Sequence, residues 1–400
     1  MSIFLKELRK LVSDVFYIWL CELRKVVRDE GVLIFFVFVP LGYPLLYSWI
    51  YNNESLREVP VVVVDLSHSD LSRQFIRDCD ATPDVHVKFH AQDLDEARSL
   101  VSRQLCQGIY VIPSDFASNI NRGEQATVSV YCDMSLMLAY KAVYQTAMVE
   151  AGRLGAGLTV KKSGNFTHHE DAVAVQPLVV EDVVLFNPSG GYGSCVLPAV
   201  LMIILQQALA LGIGMSAGTS RERYRGGQLI PADDPHYRSA YRIVWGKALC
   251  YGMVGAIAAA YLSMGVPRMF SFPQLADGRT LFFTLLPYTL ACIFFGMSVS
   301  CLVRYRENVM LLMVFVSVPL LFLTGVSWPQ SNIPGAWQGV SWLFPSTFGA
   351  RAFIRVNSMG ASVDQVLPEI CILWVQVAAY LVLACIVYGY QFRMARKYGQ

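Results

Sequence analysis

Six runs of apolar residues stand out along the chain: Gly31 to Ile50, Tyr192 to Met215, Ala248 to Val266, Leu281 to Val303, Val309 to Ser327 and Ile370 to Tyr390. As helices rising about 1.5 Å per residue, each is long enough to cross about 30 Å of hydrocarbon. In lipid only a helix or a closed barrel satisfies every backbone group, and uncharged runs of this length read as helices. One run comes first, then a polar stretch over residues 51–191, then five runs packed into residues 192–390. This pattern predicts a polytopic α-helical membrane protein of six transmembrane helices, with a folded domain inserted after the first.

Within residues 51–191 the period changes. Val59 to Asp65 reads as a strand of the buried type, Ser69 to Cys79 as a helix and Val85 to Phe89 as a second strand. A helix follows from Asp93 to Leu105, with Asp and Glu in its first turn, where they favour the dipole. Gly108 to Ile112 and Thr127 to Tyr131 supply two further strands, and Ser135 to about Gly155 a longer helix. Strands alternating with helices imply a small α/β domain. It carries no glycine pattern for phosphate and no nucleophile beside a base.

The arm before the first run, residues 1–30, contains a near repeat, LKELRKLVSD from Leu5 and LCELRKVVRD from Leu20. Apolar residues recur there at helical spacing between charges, and Phe16 to Leu20 is apolar, so the arm is expected as an amphipathic helix along the membrane face. Basic residues set the orientation, because Lys and Arg are retained on the cytoplasmic side of short loops. The arm, the loop of residues 216–247, the turn with Arg304 and Arg306 and the tail of residues 391–400 are all basic. With six spans these segments fall on one side. Both termini are then cytoplasmic and residues 51–191 extracytoplasmic. The first 30 residues lack a short apolar core ending at a cleavage site, so the first span is expected to act as an uncleaved anchor.

Composition agrees with a chain embedded in a lipid bilayer: 54% hydrophobic and 16% charged residues, with mean hydropathy +0.43. The net charge of +2 gives no reason to expect nucleic acid, since topology accounts for the basic residues. Of ten cysteines, Cys79, Cys106 and Cys132 fall in the polar stretch. Three thiols allow at most one disulfide, and three buried free thiols fit equally well. His168, His169, Glu170 and Asp171 are metal-ligand types, but neighbours in a loop seldom converge on one ion, so a solvated loop without metal is expected. Asn165-Phe166-Thr167 matches a glycosylation sequon, a pattern common by chance.

None of the six runs contains Asp, Glu, Lys, Arg or His, which argues against a secondary transporter that draws on an ion gradient and against an intramembrane hydrolase. No catalytic residue is assigned. Gln206 and Gln207 are the main polar pair inside a run, open either to a substrate path or to bonding between packed helices. No Walker A sequence is present, so any ATPase must be a separate polypeptide, with ATP and Mg held there and no cofactor on this chain.

The loop after the second run, Ser216 to Leu249, is dense in Arg, with Glu222 between Arg221 and Arg223, then Gly226-Gly227 and Pro231. It suits a short interfacial helix ended by a turn. Together with ELRKVVRDEGVLIFFVFVPLGYPLLY at the first span, Phe186-Asn187-Pro188, Gly246-Lys247, Gly325 to Pro329, Ile333-Pro334 and Phe344-Pro345, it resembles the permease subunits of type 2 ATP-binding-cassette exporters, in the branch with a large domain between spans one and two. The resemblance covers nearly the whole chain. It implies that Arg221, Glu222, Arg223, Tyr224 and Gly226 form the coupling helix that docks on the ATPase. Tyr224 departs from the family by standing where a second acidic residue is common, and Gly227 by replacing a threonine.

Residues 328–368 are too broken by Pro and Gly to span, yet carry Trp328, Trp337, Trp342, Phe344 and Phe348. Such aromatic residues settle at membrane interfaces. The resemblance implies short re-entrant helices there, marked by Trp328, Pro329, Pro334, Phe344 and Pro345, at the outer end of an exit path. It further implies two ATPase subunits, a second permease copy or paralogue completing the path, and a periplasmic adaptor on the outer domain. The expected activity is ATP-driven export of a hydrophobic or amphipathic substrate, such as a drug, a lipid or a lipid-linked product. A membrane-anchored sensor or assembly scaffold, whose outer domain binds a ligand or partner, is the alternative.

Overall fold

The structure, a computed structural model, describes residues 2–52, 56–164, 167–176, 185–187, 191–224, 227–231, 234–300 and 305–398. It divides into two compact units, Met1–Glu54 with Leu185–Gln400, and Ser55–Val184. In chain order, α1 (Ser2–Arg28) is the arm and α2 (Glu30–Tyr51) the first span. The second unit holds β1 (Val59–Asp65), α3 (Asp70–Asp80), β2 (Val85–His90), α4 (Leu94–Ser102), β3 (Gly108–Ile112), α5 (Phe116–Arg122), β4 (Ser129–Cys132), α6 (Met137–Ser163) and α7 (His168–Val175). The remaining spans are α8 (Tyr192–Arg223), α9 (Ala240–Met269), α10 (Gly278–Val299) and α11 (Arg306–Leu323). After the short helices α12 (Gly335–Ser341) and α13 (Pro345–Met359) comes the last span, α14 (Leu367–Tyr398).

In the second unit the strands run β2-β1-β3-β4, with β1 parallel to β2 and β3, and β4 antiparallel to β3. Side chains alternate across a strand, so the Val59 to Val64 run feeds two cores. Val61 and Val63 pack with Phe75, Tyr110 and Val143, against α3 and α6; Val62 and Val64 pack with Ala97 and Ile109, against α4. A sheet covered on both faces explains why this strand is apolar throughout. The Tyr110 hydroxyl donates to the Val143 carbonyl at 2.8 Å, which satisfies the buried phenol. Cys79, Cys106 and Cys132 are free thiols, the first two buried. Burial, with Glu150 and Asp78 nearby, pushes the Cys79 thiol up to about 12.

His168 to Asp171 differs from the solvated loop expected: it opens α7. Thr167 accepts from the Glu170 N–H while Glu170 reaches back to the Thr167 N–H, a capping box that starts a helix where metal-ligand residue types had drawn attention. Asn165 and Phe166 lie outside the described residues, as do Pro188 and Cys301.

In the membrane unit, α8 and α10 are largely buried, while α2, α11 and α14 turn most of their apolar surface outward. Two spans contain a wide π-type turn, Ile34–Phe38 in α2 and Tyr261–Gly265 in α9, each just ahead of a proline, Pro40 and Pro267. Proline lacks the N–H for the i−4 carbonyl and its ring crowds that carbonyl, and a wider turn relieves both. The third span starts earlier than the apolar run indicated, at Ala240, and the fifth ends earlier, at Leu323, ahead of Gly325 at φ +85°. The first difference matters because it brings Lys247 inside a helix.

Candidate functional site

The arm is a continuous helix whose apolar stripe lies on α9. Ile18 is fully buried there, and a Cβ added to Gly246 would come within 2.7 Å of the Ile18 Cβ, so the backbones meet closely. Ile18, Glu22 and Val26 fall four residues apart on this one stripe, and Glu22 is 0% exposed. Its Oε1 accepts from Lys247 Nζ at 3.0 Å, Tyr251 OH at 2.5 Å and Ser216 Oγ at 2.9 Å, while Lys25 Nζ stands 3.6 Å from Oε2. Lys247 is itself 1% exposed. One carboxylate therefore ties the arm to α8 and α9. Burial alone would raise its pKa; the charges of Lys247 and Lys25, with bonds from Tyr251 and Lys247, outweigh that and hold Glu22 well below the usual carboxylate range.

A second carboxylate continues the cluster. Asp29 caps α2 by accepting from the Gly31 and Val32 N–H groups, takes Thr219 Oγ1 of α8 at 2.6 Å and pairs with Arg306 at the start of α11. Arg306 lies so close to α8 that a Cβ on Gly218 would stand 2.9 Å from its Cγ. A third, Asp14, meets Arg242 at 2.5 Å and His236 at 2.8 Å. Burial would raise Asp14, but bonds from His236 and Arg242, with the Arg242 charge, hold it below its ordinary value. Lys247 Nζ also stands 5.6 Å over the Tyr388 ring, so α14 passes here too. The arm, the end of span two and the starts of spans three and five converge on one end of the bundle, called here the arm end.

The residues read as a coupling helix sit at this end, but in a different element. Arg221, Glu222 and Arg223 are the last turn of α8, and Tyr224 closes it with its N–H to the Ser220 carbonyl. The separate short helix expected there gives way to a continuation of the span, because the small residues before it (Gly212, Gly214, Gly218) pack closely instead of breaking it. Glu222 Oε2 lies 3.5 Å from Arg306 Nε, and Lys25 Nζ 5.3 Å over the Tyr224 ring. Gly226 lies outside the described residues.

The opposite end relies more on neutral bonds, beside one ion pair between Arg355 and Glu369 at 2.6 Å. Gln206 is buried and its Oε1 accepts from the Ser346 N–H at 2.6 Å. The N-terminus of α13, which lacks a cap from Phe344, is thus capped by span two. Pro345 occupies the first turn of α13, where a missing N–H costs nothing. Pro334 precedes α12, Pro329 leads a 3-10 turn over Gln330–Asn332, and Trp328, Trp337 and Trp342 are exposed. Gln207 is half-buried.

Sequence reasoning missed Glu22, Asp29 and Asp14. A signal existed for Glu22: an acidic residue in the middle of an apolar helical stripe. For Asp29, its place ahead of an apolar run is a cap signal. Nothing in the sequence pairs Asp14 with Arg242.

The family model for ABC-2 family transporter proteins matches residues 31–386. Over 391 residues the chain is 22% identical to the Inner membrane transport permease YhhJ of Escherichia coli strain K12, covering 93% of this chain and 96% of that protein. It is also 22% identical over 180 residues to the Probable multidrug ABC transporter permease YbhR of the same strain, 45% of this chain. That match spans about half, 48%, of YbhR's length.

Proposed function

Because the chain belongs to the ABC-2 family of transporters, whose model covers residues 31–386, we propose that it is the membrane subunit of an ATP-driven exporter. It is a multi-pass transport permease rather than an enzyme. In this reading its cargo is hydrophobic or amphipathic, a drug, a lipid or a lipid-linked product, leaving the cytoplasm or the inner leaflet of a bacterial inner membrane. ATP and Mg are bound by a separate ATP-binding-cassette polypeptide. A second permease copy or paralogue completes the path; the exposed Leu311, Val314, Phe315 and Val318 of α11 offer an apolar face for lipid or such a copy. Residues 51–191 lie outside the cytoplasm, open to a periplasmic adaptor, and both termini lie inside.

The full-length likeness to a transport permease carries this reading. The arm end supplies its mechanics. Arg221 to Tyr224, with Gly226, dock the ATPase from the tip of α8, and the tip is joined to α11 through Glu222 and Arg306 and to the arm through Tyr224 and Lys25. Movement imposed there passes to spans two and five and to the arm together, which is what a step driven by nucleotide needs. Trp328 to Pro345 shape the outer exit, and Gln207, free of the packing bond Gln206 makes, faces the path.

A mild-detergent pull-down of the tagged chain from its native membrane tests this, with ATPase activity compared between wild type and Glu222→Ala. An ATP-binding-cassette subunit is expected in the eluate, with association or substrate-stimulated hydrolysis several-fold lower in the variant. Recovery of no ATPase under several gentle conditions would overturn the exporter reading in favour of a sensor or scaffold.

A further inference from the structure

The arm end contains a cavity of about 780 Å³ between the last turns of α1, the start of α2 and the end of α8. This is within the range of ligand cavities, about 300–1,000 Å³. Five cations line it, Arg24, Lys25, Arg28, Arg223 and Arg306, against three acids, Asp29, Glu30 and Asp234. One acid is already committed: Asp29 caps α2 and holds Thr219 and Arg306. Arg24, Arg28 and Arg223 make no ion pair among the described residues. Lys25 and Arg306 are already paired, Lys25 with Glu22 and Arg306 with Asp29 and Glu222, so the unpaired positive charge in the wall, among the described residues, is that of Arg24, Arg28 and Arg223.

Position narrows the acceptor. The cavity lies where spans one and five begin, at Glu30 and Arg306, and therefore at the depth of the lipid headgroups. Those two spans turn their apolar surfaces outward: Ile34 and Phe38 on one, Leu311 and Phe315 on the other are exposed. Acyl chains have an apolar surface to lie on beside a basic recess.

We propose that this cavity binds the phosphate-bearing headgroup of an anionic phospholipid, with Arg24, Arg28 and Arg223 contacting the phosphate. Oxygens of a phosphate diester accept several charge-assisted bonds at once, which matches donors converging from two helices. The inference goes beyond the exporter reading and needs only that the bundle spans a bilayer. Its test is made on the purified full-length chain, so loss of an ATPase partner does not alter the result.

Binding of phosphatidylglycerol and of phosphatidylcholine would be titrated in detergent by native mass spectrometry. Wild type is expected to take one phosphatidylglycerol in preference to phosphatidylcholine. Arg24→Gln/Arg28→Gln is expected to weaken that binding roughly thirty-fold, and Arg24→Lys/Arg28→Lys to restore most of it. Arg9→Gln/Lys10→Gln removes the same charge from an exposed part of the arm outside the cavity and is expected to leave binding unchanged. Equal loss in both neutral pairs, or equal affinity for the two lipids, would overturn the proposal. Inorganic phosphate binding as tightly as phosphatidylglycerol at matched ionic strength would overturn the lipid assignment. A melting temperature near that of wild type for Arg24→Gln/Arg28→Gln separates lost binding from lost folding.

Discussion

The two ends of the membrane bundle solve the same problem with different chemistry. At the arm end, charge meets charge: Glu22 with Lys247 and Lys25, Asp29 with Arg306, Asp14 with Arg242. At the opposite end, one ion pair, Arg355 with Glu369 at 2.6 Å, stands beside several neutral side chains that meet backbone: Gln206 holds Ser346 N, Gln376 holds the Trp342 carbonyl at 2.7 Å, and Tyr380 donates to Leu343 O. A neutral bond to backbone fixes one shape at modest energy, whereas a buried ion pair is weak in net terms but severe to break by halves. The arm end is therefore held by pairs that are costly to break one partner at a time, and the other end mainly by neutral bonds of modest energy.

The sharpest way to break this contrast is Glu22→Ala. It strands Lys247 in a site where the lysine is 1% exposed and is expected to cost about 3–5 kcal/mol in denaturant unfolding. The double variant with Lys247→Met should be less damaged than the two single losses added together. Additive losses would show that the two residues do not act as a pair. At the opposite end the largest effect should be steric. A Cβ on Gly349 would stand 2.2 Å from the Tyr288 ring, whose hydroxyl is bonded to the Met202 carbonyl at 2.5 Å, so Gly349→Ala is expected to cost about 1–3 kcal/mol. Gly339→Ala, facing open space, should be near neutral in the same thermal melts.

Gln206→Met removes the cap of α13, along with the long contact from Cys292 Sγ, and leaves the Ser346 N–H unsatisfied, an expected loss of about 1–2 kcal/mol by thermal unfolding. The smallest effect is electrostatic. Asp14→Asn should cost about 1 kcal/mol at pH 7. Because the folded carboxyl titrates below its ordinary value of 3.8, this contribution is full above about pH 4 and is lost as pH falls through the lower folded value. Melting curves of wild type and variant should converge below pH 4. A gap that persists there would mean Asp14 acts through packing and not charge.

Much of the fold was legible because its signals are local. Strand β1, apolar at every inner position, and strand β3, ended by Pro113, lie where the pattern predicts them. The six apolar runs correspond to six helices, among the described residues, that are long and apolar enough to cross a membrane. Boundaries were less legible. Lys247 reads as the edge of a span, yet α9 extends back to Ala240, because Glu22 from another helix neutralises the lysine there. The metal-like residues from His168 to Asp171 contained a capping box in plain view, Thr167 with Glu170 three positions on. In the coupling stretch the residue types were visible. Their element was not, since the close packing of Gly218 against Arg306 that carries the helix through depends on a residue far along the chain.

By itself the sequence determined the membrane class, the number of spans, the strands of the second unit and the absence of a nucleotide-binding motif. These follow from hydrophobic length, from period and from residue order, all of which are local properties of a chain. Tertiary structure alone decided which charges meet. Glu22 lies 225 positions from Lys247 and Asp14 228 from Arg242, and Gln206 lies 140 from the amide it caps. Such pairings depend on how helices cross, and the same packing that buries an unpaired charge at prohibitive cost is what selects its partner.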